Sequence, residues 1–367
     1  LGIVSSDGEV LPEDRVLDRL NVKDGDSFSA VVGKDQLASS DKAFALLGAD
    51  GSVISWGHPD SGGDARSLKG RLCDVELIQG SFRAFAAVKA DGSIVTWGHR
   101  GYGGQSICEG SLGPSESVKR LCPTHNGILA VRGDGSVAAC GWSNTSEDIC
   151  VRRVLHQLTG VRDVQHTRGA FAAIVGDGSV VTAGQYMFGG DCSSVRDQLK
   201  DVQQIAATYG GFAALLGDGT VVTWGHPQWG TNDLAVRHRL KDVKHICASD
   251  GAFAAILEDG SVVCWGEPEF GADCEAVQPQ LREVQRLFAT SCAFAALRAD
   301  DTVVTWGAAT HGGASRRLRT QLRDVRSITP NLSAFAALRG DGTVVTWGDC
   351  YAGGNSSRVQ SKLQNVR

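Results

Sequence analysis

Val202–Gly225 reads V-Q-Q-I-A-A-T-Y-G-G-F-A-A-L-L-G-D-G-T-V-V-T-W-G. Three apolar stretches lie in it, each too short for a helix and each bounded by turn residues. The pattern predicts strands over Val202–Ala207, Phe212–Leu216 and Val221–Trp224. Asp218-Gly219 then joins the last two as a tight hairpin, for a primed two-residue turn needs positive φ at both central positions. The same unit occurs eight times, its turn aspartate at Asp50, Asp91, Asp134, Asp177, Asp218, Asp259, Asp300 and Asp341. The spacings are 41, 43, 43, 41, 41, 41 and 41 residues. A period of that length marks solenoids or propellers, and one built from short β segments points to an all-β propeller.

Side-chain size follows the period. Small residues dominate the second strand, as in Ala86-Ala87, Ala213-Ala214 and Ala336-Ala337. Bulk comes once per unit from a phenylalanine (Phe44, Phe85, Phe171, Phe212, Phe253, Phe294, Phe335) and a tryptophan (Trp56, Trp97, Trp224, Trp265, Trp306, Trp347). Each such ring buries about 150–250 Å². A residue repeated at every period serves packing between units rather than a single site. Units three and four depart from the pattern: Ile128 replaces phenylalanine, and Cys140 and Ala183 replace tryptophan. Trp142, two residues on, would refill the gap on the same strand face. This departure reads as drift of one blade. In the seventh unit Asp301 replaces the turn glycine, a change the left-handed region tolerates in aspartate. The polar stretch after each unit, such as Asp191–Val202, carries anchors at Val195 and Leu199 and would make a helical turn or an extended cover.

Composition bounds the function. The chain has 367 residues, a net charge of -5 and 21% charged residues, which argues against a nucleic-acid surface. No apolar run approaches the roughly 18 residues of a membrane span. The eleven cysteines include no C-x-x-C pair and do not recur at one place in the repeat. They read as reduced residues of an intracellular, cytoplasmic protein. The chain starts at Leu1 and its one methionine is Met187, so it reads as a fragment or processed product.

The apolar strand, D-G turn and V-x-T-W-G followed by a glycine-rich loop resemble the regulator of chromosome condensation repeat, over about residues 35–367. The short period is similar to that of the bacterial β-lactamase inhibitor of the same superfamily. The resemblance implies a propeller over 34–367; eight copies give eight blades, with seven plus an unincorporated unit as the alternative. Residues 1–33 resemble the C-terminal half of a ubiquitin-like β-grasp domain, with G-x-x-L near Gly8 and D-G-D-S before a last strand ending at Val32. The family's exchange-factor activity rests on a protruding wedge, and these even spacings hold no insertion of that length. Its ultraviolet photoreceptors rest on G-W-R-H-T motifs, which do not occur here.

Residues with chemistry to offer are scattered. His58, His99 and His226 each follow a W-G, with Glu267 and Asp349 at the same point of later units. Separate blades keep them apart, and zinc needs about four ligands within roughly 2.0–2.3 Å. No metal, no cofactor and no catalytic set is expected. One position points to recognition. Four residues past the W-G glycine the repeat becomes erratic: Ser61, Tyr102, Thr145, Phe188, Trp229, Phe270, His311 and Ala352. Half of these are aromatic, and exposed aromatics are typical interface anchors. The expected site is a rim of Tyr102, Tyr186, Phe188, Trp229, Phe270, His311 and Tyr351 on a monomeric, non-enzymatic scaffold. Its partner would be a protein, with no nucleic acid and no membrane. The alternatives are an exchange factor for a small GTPase and the substrate-recruiting part of a ubiquitin ligase. The bland reading of the same rings folds them back over a blade.

Overall fold

A computed structural model describes residues 2–4, 10–11, 29–31, 36–104, 108–109, 118–141 and 146–364. The chain divides into two compact units, Leu1–Ile149 and Cys150–Arg367. The fold class is the all-β propeller: eight antiparallel sheets, one per repeat, form blades 1–3 in the first unit and blades 4–8 in the second. Blade 5 consists of Val202–Ala207, Gly211–Leu216 and Val221–Gly225, within one residue of the sequence expectation. The alternative of seven blades with an unincorporated unit is set aside, because every repeat forms its sheet.

Of the ubiquitin-like segment, only Gly2–Val4, Val10–Leu11 and Ser29–Val31 are described, as a small antiparallel sheet with the first of these strands in the middle. The rest of that expectation lies outside the described residues. Trp142 and Thr145 lie outside them too.

Blades stack through a two-sided sheet. Alternate side chains point to opposite faces, so one face of blade 4 presents Ala170, Ala172, Ile174 and Val180. Blade 5 answers with Phe212, Ala214, Val222 and Trp224, and the two faces form one core. Phe212 and Trp224 are directly opposed across neighbouring strands and stack at 5.1 Å between ring centroids. The indole Nε1 then donates to the Gly189 carbonyl in the loop of the preceding blade, at 3.1 Å. Trp97, Trp306 and Trp347 repeat that bond to Gly62, Gly271 and Gly312. A glycine-rich loop is needed there because a Cβ on Gly189, whose φ is +83°, would sit 2.7 Å from the Phe212 ring.

Two further bonds tie blade to blade. Val243, opening the first strand of blade 6, donates its amide to the Gly219 carbonyl of the blade 5 turn at 2.9 Å, a bond repeated between blades 4 and 5, 6 and 7, and 7 and 8. The Gln204 side chain adds an edge-like pair to the next first strand: Nε2 donates to Ile246 O at 2.7 Å and Oε1 accepts from Ile246 N at 3.0 Å.

The D-G turn differs from the expected primed form. Positive φ is confined to Gly219, at +79°, and Asp218 stays outside the left-handed region. Gly217 joins the loop, with Gly219 N bonded to Leu216 O at 3.0 Å and Leu216 N to Thr220 O at 2.9 Å. This is the three-residue hairpin with glycine at its left-handed position. Asp218 serves instead as an acceptor, its Oδ1 taking Thr220 N at 2.9 Å and Thr220 Oγ1 at 2.6 Å. Asp301 does adopt the left-handed φ, at +57°.

Blade 3 is remodelled rather than merely drifted. A fourth strand, Cys108–Glu109, pairs with its third strand Val137–Gly141, and the helix Ser146–Val154 follows. Cys140 is disulfide-bonded, and Cys108 is its register partner across the added strand. The expectation that all cysteines are reduced is corrected there. Cys73, Cys122, Cys150, Cys192, Cys247, Cys264, Cys274, Cys292 and Cys350 are free. The stretch after blade 4 makes a short 3-10 turn, Arg196–Gln198, between a half-buried Val195 and a buried Leu199. No helix among the described residues is long and apolar enough to cross a membrane.

This packing and these turns can each be tested. Trp224 is 4% exposed whereas Trp56 of blade 1 is 45% exposed and stacks only on the half-exposed Phe44. Trp224→Ala should destabilise by about 3–5 kcal/mol, and Trp56→Ala by no more than about 1–2 kcal/mol, measured by chemical denaturation followed with circular dichroism. The turns respond to acid. The eight turn carboxyls are held below the ordinary value of 3.8, chiefly by hydrogen bonds from the Ser or Thr two residues on. A depressed folded value means the unfolded chain binds more protons in acid, so this stability is complete above the ordinary carboxylate range and is lost as pH falls through the folded values. Asp218→Asn, Asp259→Asn and Asp341→Asn together keep the acceptors but remove the titration. The slope of Tm against pH below about 4 should flatten in that variant.

Candidate interaction surface

Antiparallel strands put two connections at one end of each blade: the turn between first and second strands, and the loop after W-G. The turn begins with a buried hydroxyl, Thr208 in blade 5, whose Oγ1 accepts from Gly211 N at 3.1 Å. The same Oγ1 donates to the carbonyl of Trp229, the erratic rim position, at 2.6 Å. Ser40, Ser81, Thr167, Ser249 and Thr290 hold the carbonyls of Ser61, Tyr102, Phe188, Phe270 and His311 at 2.8–3.1 Å. Asn331 replaces the hydroxyl in blade 8, its amide donating to Ala352 O at 2.7 Å. The rim main chain is thus fixed while its side chains vary.

The residue after each hydroxyl is a second variable position: Asp41, Phe82, His125, Arg168, Tyr209, Asp250, Ser291 and Leu332. Sequence reasoning missed it, although the comparison among copies that found the rim would have shown it. Main-chain bonds string these turns together in the second unit. Arg168 N donates to Tyr209 O, Tyr209 N to Asp250 O, Asp250 N to Ser291 O and Ser291 N to Leu332 O, all at 2.8–3.0 Å.

Together the two positions build an aromatic stripe in the second unit. Ring centroids lie 6.0 Å apart for Phe188–Tyr209, 4.5 Å for Tyr209–Trp229 and 5.9 Å for Trp229–Phe270. All four rings are at least half-buried. Exposed Arg168 lies over the Tyr209 ring at 5.3 Å and hydrogen-bonds its hydroxyl. Asp250 follows on the next turn, where burial pushes its carboxyl upward against the opposing pull of His311.

The rings lie down because glycine lets them. A Cβ on Gly169, Gly210 or Gly251 would stand 2.5–2.7 Å from the ring of Phe188, Trp229 or Phe270 of the same blade. Blades whose rim residue is not aromatic carry Lys42, Asn126, Cys292 or Ser333 at that place. Blade 2 is the exception: Arg83 stands there and lies over the Tyr102 ring at 5.7 Å.

The remaining expected residues fall elsewhere. Tyr102, in the first unit, meets Phe82, His99 and His125 at 5.1–5.4 Å. Tyr186 is 75% exposed and lines a groove of about 330 Å³ with Met187, Asp191, Ser194, His226 and Pro227. Tyr351 is 97% exposed. His311 stays half-buried beside Thr310, with Oγ1 and Nδ1 3.0 Å apart. Three residues after W-G cap short 3-10 turns, His99 Nδ1 accepting from Gly101 N, His226 Nδ1 from Gln228 N and Asp349 Oδ1 from Tyr351 N, whereas the His58 and Glu267 side chains make no cap bond. Among the described residues no group of three or more His, Cys, Asp or Glu could hold a metal ion.

No protein-family model matches this sequence, and no curated protein matches it. Solved structures do. The chain is similar to human WBSCR16 at 14% identity, covering 86% of this chain and 89% of that one, with a TM-score of 0.46. It is similar to Prp20p of Saccharomyces cerevisiae, described for binding Gsp1p and histones, at 18% identity over 64% and 72%, TM-score 0.41. The CRINKLY WD40 ectodomain of the Arabidopsis thaliana receptor kinase ACR4 matches at 14% identity over 72% and 90%, TM-score 0.41. Prp20 is also described as the yeast RCC1, in its complex with Kap60.

Since the Gly251 Cβ would clash with Phe270, Gly251→Ala should destabilise by about 1–3 kcal/mol. On a Phe270→Ala background the same substitution should cost almost nothing, a coupling read from a double-mutant cycle of denaturation midpoints.

Proposed function

We propose that the chain is a non-enzymatic protein-interaction module, and that its partner docks on the end of blades 4–6 where Phe188, Tyr209, Trp229 and Phe270 run together. The observation that carries this reading is the contiguity of those rings on a main chain fixed by hydrogen bonds. Large aromatics whose rotamers are already locked lose little entropy on binding and make effective anchors. Arg168 and Asp250 at its flanks supply charge of both signs, which sets register and partner choice more than affinity. Tyr186, His311 and Tyr351 belong to the same variable loops of the second unit and extend the surface that a large partner would touch.

Affinity capture from cell extract, with wild type and a Tyr209→Ala/Trp229→Ala variant compared by quantitative mass spectrometry, tests the reading. A specific protein should be retained by wild type and reduced at least about tenfold by the variant. The variant's Tm should stay within a few degrees of wild type. Equal retention by both would refute the platform. A retained set dominated by small GTPases would move the reading to nucleotide exchange, with Gsp1p, named as a binding partner of Prp20p, as the point of comparison.

A further inference from the structure

The third strand and the loop after it are stitched together at a fixed register. In blade 7, Thr305 Oγ1 donates to Ser315 Oγ, ten residues on, at 2.8 Å, and Ser315 N returns to Thr305 Oγ1 at 3.1 Å. Blade 8 repeats this with Thr346 and Ser356, at 3.0 and 3.1 Å. In blade 6 the same two places are Cys264 and Cys274. Blades 4 and 5 carry Thr182 with Cys192 and Thr223 with Asp233, and blade 1 carries Ser55 with Ala65, so none of these presents two sulfurs. Both blade 6 cysteines are buried in one core with Leu281 and Trp306, and neither is disulfide-bonded. Cys274 Sγ donates to Gln278 Oε1 at 3.3 Å, as Ser356 Oγ does to Gln360 Oε1 in blade 8, so the loop of blade 6 keeps the register of its neighbours.

We propose that Cys264 and Cys274 form an oxidative cross-link site, closing the segment Trp265–Asp273 by a disulfide when hydrogen peroxide reaches it. The register that holds two hydroxyl oxygens 2.8–3.0 Å apart in the next two blades brings two sulfurs within reach of the Cβ spacing a disulfide needs, about 3.5–4.5 Å. The two thiols are not equivalent. The Cys264 side chain and the nearby Arg239 guanidinium hold Cys274 below the ordinary thiol value, whereas burial and its neighbour push Cys264 well above it. Cys274 is therefore the attacking sulfur, since the thiolate is the nucleophile.

Its thiolate attacks one peroxide oxygen, the O–O bond breaks, and the departing hydroxide leaves as water with the proton Cys274 gave up. The resulting sulfenic acid is attacked by the Cys264 sulfur, and its hydroxide leaves as water with the Cys264 proton. Two thiols and one peroxide become one disulfide and two waters. Cys247 of the same blade is an internal control, because burial pushes its thiol up to about 12. The cross-linked loop carries Phe270, so its state bears on the aromatic stripe, yet the site stands whether or not that stripe binds a partner.

The test oxidises the full chain with hydrogen peroxide, alkylates remaining thiols in denaturant, and digests after Glu267 and Glu269, which separates the two cysteines. The expected product is a joined Cys264–Cys274 species, two hydrogens lighter than its parts and separated by reductant, with Cys247 fully alkylated. Oxidised wild type should melt at higher temperature than reduced. A Cys264→Thr/Cys274→Ser variant restores the hydroxyl pair of the neighbouring blades. It should match reduced wild type in Tm and show no shift with peroxide. Full alkylation of both cysteines after oxidation, a sulfinic acid at Cys274, or a link from either to a third cysteine would overturn the proposal.

Discussion

The contact between the bulky face of one sheet and the thin face of its predecessor governs the rest. Blades 4–7 offer alanines and branched aliphatics on one side, and the Phe–Trp pair of the next blade fills the hollow that the alanines leave. Neither face is stable alone, because a single repeat cannot bury its hydrophobic face without a stacked neighbour. Stability of such an array is a sum of nearest-neighbour terms, so each residue type at these positions is constrained by two blades at once. The indole bond to the glycine loop adds direction to what would otherwise be non-specific burial. Trp265 departs from this, its Nε1 making no hydrogen bond among the described residues.

Once that layer is set, the blade ends have little freedom left in the main chain and much in the side chains. A hydroxyl fixes the rim carbonyl, and a bond from the neighbouring turn fixes the residue beside it. A side chain can then change without moving the backbone that carries it. This is the condition under which loops on a rigid scaffold acquire recognition roles.

Strand placement is legible because each strand is a short apolar run between Gly, Asp and Ser or Thr, and periodicity repeats the evidence eight times. The turn type is not, since Asp-Gly fits two hairpin classes and the difference lies in whether the residue before the aspartate joins the loop, as Gly217 does in blade 5. Rim residues are legible as variable positions, but their burial is not: whether Trp229 stands up or lies down depends on Gly210, nineteen positions earlier and close only in the folded blade. The rings are packed on glycine and still present an edge. Tyr209 falls in a turn, where only comparison among the copies marks its position as variable, and its ring contacts with Phe188 and Trp229 form only in the folded blades. The added strand of blade 3 is hidden in a stretch with too few apolar residues to signal it, although the 43-residue spacing and the lost tryptophan at Cys140 mark the place.

Blade 6 shows how a repeat acquires chemistry without acquiring a new fold. Its sheet has the register of its neighbours to the residue. Cys264 and Cys274 stand where hydroxyls stitch a loop in the next two blades. A partner oxygen exchanged for a partner sulfur keeps the stitch and adds a bond that can form and break. The scaffold tolerates this because the exchanged side chains are of similar size, and the Phe253–Trp265 stack stays in place at 5.2 Å. Variation therefore collects where a change leaves the nearest-neighbour contacts intact, and such places are where this chain's individuality lies.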